Sequence, residues 1–356
     1  MKKITLAIFL FLVGAGILPV TLFAQNTRAW SPAKAEKWYK KQGWLVGCNF
    51  IPSTAINQLE MWQAETFDST TIDRELGWAA GLGMNVVRVY LHNLAWEIDP
   101  AGFKGRINTY LQIADRHGIR TVFVLFDDCW NDNPHPGKQP EPKPGVHNSG
   151  WVQGPGKERL FNPATWGPLE AYAKDILTTY SHDERVLMWD VYNEPGNSTY
   201  EIKSMPFLRK VFEWAWAVRP SQPLTCATWD PNFKELNAFQ LASSDVITFH
   251  NYKDTTNLET EIKMLQERGR PIICTEYMAR TNDSFFKTHL PIFKKHNVGA
   301  INWGLVSGKS NTIYPWGSPE GAPEPKLWFH DIFHADGTPY DPEEVKVIKE
   351  LTAVKK

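Results

Sequence analysis

Two carboxylates stand where buried strands would end. Glu194 follows the apolar run 186–192 in WDVYNEP (189–195), and Glu276 closes another in CTEYM (274–278). A carboxylate after buried strand residues is costly unless it is paired or hydrogen-bonded, and a strand interior does not need one. Two of them on different strands therefore predict a carboxylate pair. Hydrolysis of a glycosidic bond uses such a pair: one group protonates the leaving oxygen while the other attacks the anomeric carbon or activates water. The two groups stand ~5–5.5 Å apart when configuration is retained and ~6.5–9.5 Å apart when it is inverted. Other polar residues close the neighbouring runs. Arg88 lies in VVRVY with His92 and Asn93 just beyond it, Asp127 and Asp128 end the next run, Asn193 precedes Glu194, and His250 and Tyr252 lie in FHNY. Their bland readings are an ion pair of Arg88 with Asp127, a satisfied core histidine at 250, and Asp127 and Asp128 as turn residues rather than ligands of sugar hydroxyls.

Elements that bring these ends together are legible as a repeated order: an apolar or β-branched run, a polar loop, then a helical pattern. The strand candidates are 43–50, 84–91, 119–126, 186–192, 223–229, 245–252, 271–278 and 298–305, with helical stretches near 69–82, 105–118, 163–181, 201–218, 232–241, 255–269 and 282–297. Strands this apolar suit a parallel sheet covered by helices, and eight units predict a single (β/α)8 TIM barrel with enlarged strand-to-helix loops. A doubly wound open sheet would want a glycine-rich loop after the first strand, and GCNFIPS is not one. The Pro/Gly-rich stretch 132–156 is either a loop at the catalytic face or a surface linker.

WDVYNEP and CTEYM resemble the acid/base and nucleophile strands of the retaining (β/α)8 glycoside hydrolases of clan A, most closely glycoside hydrolase family 5, the cellulase and mannanase family. The resemblance implies Glu194 as general acid/base, Glu276 as nucleophile and Asn193 as partner of the sugar 2-hydroxyl. Arg88 matches the arginine near the nucleophile, His250 and Tyr252 the sixth-strand His-x-Tyr pair, and Trp303 in INWG the tryptophan beneath the sugar in the −1 subsite. Glu194 is expected to start protonated, its pKa raised beside Trp189 or Tyr192. The loops 132–156 and 307–321 carry no motif assignable to cellulases, mannanases or xylanases, and a narrowed cleft suited to exo attack or to a branched glycan is one expectation for them. A non-catalytic glycan-binding barrel is the competing reading, although it has no need of both carboxylates.

Composition agrees with this. Sixteen tryptophans in 356 residues exceed what a core requires, and wide ring faces suit the C–H faces of sugars. Trp130 and Trp229, with Trp151 and Trp316, fall in loops where stacking on a carbohydrate substrate is expected, and His92 is a further candidate sugar contact. A net charge of −1 gives no drive toward nucleic acid. No strand closes with a metal-binding His-x-His or paired Cys spacing, so no metal and no cofactor are expected. Lys2 and Lys3 before an uncharged run to Ala24 read as a signal peptide. The expectation is a leader over 1–24, a catalytic domain over 25–356, and a monomer exported to the periplasm or beyond the cell without stable membrane insertion. Cys48, Cys226 and Cys274 read as buried hydrophobes, and Cys129 as one that could pair with them.

Overall fold

A computed structural model describes residues 28–353; the expected leader at 1–24 lies outside the described residues. Each predicted run contains one strand: β1 (Val46–Asn49), β2 (Val86–Tyr90), β3 (Arg120–Val124), β4 (Val186–Asp190), β5 (Leu224–Thr225), β6 (Ile247–His250), β7 (Ile272–Glu276) and β8 (Gly299–Trp303). All pairings are parallel, in the order β5-β4-β3-β2-β1-β8-β7-β6. The two ends meet in a parallel bridge between Thr228 and Phe249. Thr228 N donates to Thr248 O at 3.1 Å and His250 N to Thr228 O at 2.9 Å, so the sheet closes into a barrel.

Strand β5 is much shorter than its apolar run, 223–229. The backbone N–H of Cys226 donates to Ser244 Oγ at 3.1 Å instead of to a neighbouring strand, and pairing resumes only at Thr228.

Helices Ser69–Gly81, Pro100–Arg116, Trp166–Thr179, Met205–Val218, Lys234–Ser243, Thr255–Gln266 and Phe286–His296 lie in or across the expected windows. Pro342–Thr352 completes the eighth unit. Its start is legible in retrospect: Asp341 caps Glu343 N, Pro342 sits at the first helical position, and two glutamates fill the first turn, all favourable at a helix N-terminus.

The N-terminal helix Pro32–Tyr39 plugs the barrel floor. Trp30, Ala35 and Tyr39 pack against Leu45, Val86, Val122, Met188, Ile273 and Ile301, and Trp30 N donates to Asp245 Oδ1 at 2.7 Å. With the floor sealed by apolar side chains, polar groups collect at the other end. The two-residue period of a strand sends Val86, Arg88 and Tyr90 to one face of β2, which lifts Arg88 from the apolar layer to the mouth.

Candidate active site

Arg88 is fully buried at the top of the barrel and makes six hydrogen bonds. Nε and Nη2 donate to Asp190 Oδ2 at 3.1 and 2.7 Å, Nη1 to Glu276 Oε1, Asn49 Oδ1 and Tyr90 Oη at 2.7, 2.8 and 2.7 Å, and Nη2 to Asn193 Oδ1 at 2.7 Å. Its partners are thus Asp190 and Glu276, while Asp127 lies elsewhere. Glu276 gains two further donors: Tyr90 Oη at 2.9 Å to Oε1 and Tyr252 Oη at 2.8 Å to Oε2. Burial first, and the neighbouring Glu276 carboxylate next in the case of Tyr252, push both phenols well above their usual range. Both therefore stay protonated and donate. Three fixed donors hold the Glu276 carboxylate in one orientation.

Glu194 sits just beyond β4 at φ 44°, a left-handed conformation that costs a residue with a side chain about 1–2 kcal/mol. Strain of this kind concentrates where a side chain must be aimed. The turn is held by Asp128, which accepts from Gly196 N at 2.9 Å, Ser204 Oγ at 2.6 Å and Tyr192 Oη at 2.5 Å. Asp127 accepts from Trp151 Nε1 at 2.7 Å, Asn193 Nδ2 at 2.9 Å and Cys129 N at 3.0 Å. Burial pushes Asp127 up to about 6 and Asp128 up to about 7, with these bonds opposing it. Buried and each held by at least three protein donors, both aspartates brace the turn that carries Asn193 and Glu194.

The bulge between Phe249 and His250 sets His250 directly opposite Glu276. His250 Nδ1 donates to Glu194 Oε1 at 2.7 Å and lies 3.5 Å from Glu276 Oε2, leaving Nε2 buried without a partner. It therefore belongs to the carboxylate cluster and not to the core. The ligating atoms of Glu194, His250 and Glu276 all lie within 4.8 Å of one another, close to the spacing of a retaining pair. Among the described residues these three are the groups that could hold a metal, but Arg88 places a fixed positive charge 2.7 Å from Glu276, which opposes a cation there.

The expected upward shift at Glu194 does not occur. Trp189 packs against Phe123, and Tyr192 bonds Asp128. Burial does raise the Glu194 carboxyl, but the His250 hydrogen bond and charge, with bonds from Cys129 Sγ at 3.3 Å and Asn197 Nδ2 at 2.6 Å, outweigh it and hold the group below its usual range. A folded-state pKa below the unfolded one means that these contacts stabilise the fold above the ordinary carboxylate range and lose that contribution as pH falls through the lowered value. For a general acid the same sign sets the basic limb of the rate profile. Replacing His250 by Ala leaves burial less opposed, so the basic limb of kcat/KM should move to higher pH; a pH–rate profile measures it, and movement to lower pH refutes the coupling.

The remaining expected residues divide. Asn193 Nδ2 donates one N–H to Asp127 at 2.9 Å and the other to Cys129 Sγ at 3.4 Å, the weaker of the two bonds. Trp303 is half-buried, in edge contact with Tyr90 and Trp151 at 5.9 and 5.6 Å. Trp130 is 40% exposed at the mouth against His147. Trp229 donates Nε1 to Pro195 O at 3.2 Å, beside the Glu194 turn. Trp151 is buried behind the mouth rather than on its rim. His92 stays outside the cluster: it is fully buried, with Nε2 at 2.9 Å from Gln153 O and Nδ1 accepting from Leu94 N, and burial pushes it down to about 4. It packs the second loop through these bonds.

All four cysteines are free and buried, and Cys129 has Glu194, Asn193 and Asn197 as partners in place of a disulfide. Tyr90 and Asn49 escaped the sequence reading; the two-residue period from Arg88 would have found Tyr90. Asn197 carries no comparable signal.

Among solved structures the chain is similar across most of its length to a GH5_18 protein from Streptomyces cattleya in complex with Manβ1-4GlcNAc (TM-score 0.60, 12% identity, 86% of this chain and 80% of that one). It is similar also to an endo-1,4-β-mannanase from Rhizomucor miehei (TM-score 0.57, 14%, 87% and 94%) and to an exo-β-1,4-mannosidase from Opitutaceae bacterium strain TAV5 (TM-score 0.60, 16%, 87% and 59%). At these identities the likeness is one of fold. No protein-family model matches the chain, and no curated protein does.

Proposed function

We propose that this chain is a retaining β-glycoside hydrolase of the family 5 type, exported by its N-terminal leader and acting on a carbohydrate without a cofactor. The observation that carries the proposal is the fixation of Glu276 by Arg88, Tyr90 and Tyr252 within 4.8 Å of Glu194. Glu276 Oε attacks the anomeric carbon as the bond to the leaving oxygen breaks, and Glu194 supplies that oxygen with a proton. Glu194, now a carboxylate, takes a proton from water, whose oxygen displaces Glu276 from the sugar.

The protein's own contacts to Glu194 favour its ionised form. An aglycone covering the mouth removes water, which strengthens burial and favours the neutral acid. Loading of the proton is thereby linked to binding of the substrate. The mannanase and the mannosidase among the similar structures support a β-mannoside as the first substrate to try.

The test is proton NMR of the first sugar released from aryl β-glycosides, beginning with the mannoside. The β-anomer should appear first and mutarotate later. An α-anomer appearing first would remove the double displacement, and no turnover of any aryl β-glycoside would favour the glycan-binding barrel.

A further inference from the structure

We propose that the site is exo-acting: it admits one glycosyl residue from the non-reducing end, and the rest of the chain leaves across β4 and β5. This rests on the hydrolase reading above and concerns the shape of the same site.

The long loops after β3 and β8 are bolted to one another. Asn148 N donates to Ser310 O at 2.8 Å, Gly321 N to Pro144 O at 2.8 Å, Asn311 Nδ2 to Lys143 O at 2.9 Å, and His147 Nδ1 to Tyr314 O at 2.7 Å. Both are also tied to the loop after β1. Lys309 N donates to Ser53 O at 3.0 Å, and Asn57 Nδ2 to Gly150 O at 2.7 Å. The returning limb of the β8 loop is pinned from below by buried Arg280, which donates to Trp328 O, His330 O and Asp331 O at 3.1, 2.8 and 3.0 Å while paired with Glu344. Loops joined by this many hydrogen bonds do not part cheaply. They form one wall from β3 past β1 to β8.

The wall stands against the nucleophile. Tyr252, which holds Glu276 Oε2, has the rings of Trp316 at 5.0 Å and His330 at 5.7 Å. Tyr90, which holds Oε1, has Trp151 at 5.0 Å and Trp303 at 5.9 Å. The cavity behind these rings, between Tyr90, Trp303, Asn148 and Asp331, is about 20 Å³, room for about one water molecule.

On this proposal the sugar bonded to Glu276 sits with its non-reducing end against the wall, which leaves no place for a preceding residue. On the Glu194 side the connections, 191–200 after β4, 226–233 after β5 and 251–254 after β6, are all much shorter than the loops after β3 and β8. Trp229, half-buried beside the Pro195 carbonyl, offers a face there for the leaving group.

The experiment uses the full chain and β-1,4-linked pentasaccharides of mannose, glucose and xylose labelled at the reducing end, with the aryl β-monoglycosides of the same sugars as controls. In the initial-rate period the labelled tetrasaccharide should be the sole labelled product, with free monosaccharide released beside it. Labelled mono-, di- and trisaccharides from the first time point, or a pentasaccharide left intact while the matching aryl glycoside is cut, would overturn exo action and leave the hydrolase reading standing. Failure to cut any glycoside would overturn that reading and the exo inference with it.

Discussion

Glu276→Ala is expected to lose turnover of aryl β-glycosides by about 10⁵-fold or more, the scale on which removal of a nucleophile acts in other hydrolases. Azide should restore it, with the α-glycosyl azide as product. Truncation leaves a gap beside Arg88 Nη1, Tyr90 Oη and Tyr252 Oη, the donors that held the carboxylate at 2.7, 2.9 and 2.8 Å, and these can receive a small anion. A single displacement by that anion inverts configuration, so a β-linked reactant gives an α-linked azide. The fold should survive, because Arg88 keeps Asp190, Asn49 and Asn193 as partners. Hydrolysis at the wild-type rate would remove Glu276 from the chemistry, and a β-configured azide product would exchange the roles of the two glutamates.

What was legible in the sequence follows the range of the interactions concerned. All eight strands fall inside apolar runs because a sheet buried on both faces demands such runs locally. The shortening of β5 was not legible, since its cause is the hydroxyl of Ser244, which takes the N–H of Cys226. Strand-end residues in order along the chain brought Arg88, Asn193, Glu194, His250, Tyr252 and Glu276 to one mouth, because parallel strands deliver their C-terminal ends to one face. His92 too follows a strand end, but the chain turns there into the short helix Asn93–Ile98, and His92 caps that helix through Leu94 N instead of joining the carboxylate cluster. The downward shift of the Glu194 carboxyl depends on His250 and Cys129, far away along the chain, and no local pattern near WDVYNEP announces either. Docking of the two long loops is of the same kind: Asn148 and Ser310 carry no mark that their backbones meet.

Arg88→Met should destabilise the fold by about 3–5 kcal/mol, the cost of breaking a buried ion pair by removing one partner. The reason is specific to Asp190, which is fully buried, with Oδ2 held by Arg88 alone and Oδ1 without a partner. Methionine fills much of the volume but leaves the buried Asp190 carboxyl without its partner and takes one of three donors from Glu276. Denaturant unfolding reads the loss, and a midpoint equal to the wild type would show that the pair carries no net stability. Arg88→Lys keeps the charge but replaces five donors in a planar fork by three on a point charge. It can serve Asp190 or Glu276 but not the whole set, so it should recover more stability than rate. Asp190→Asn in the Arg88→Met background removes the stranded carboxyl and should recover part of the lost stability, a coupling that a double-mutant cycle isolates. Turnover should stay low in that double variant, because Glu276 still lacks its cation. If turnover returned together with stability, Arg88 would act on the reaction only by holding up the fold.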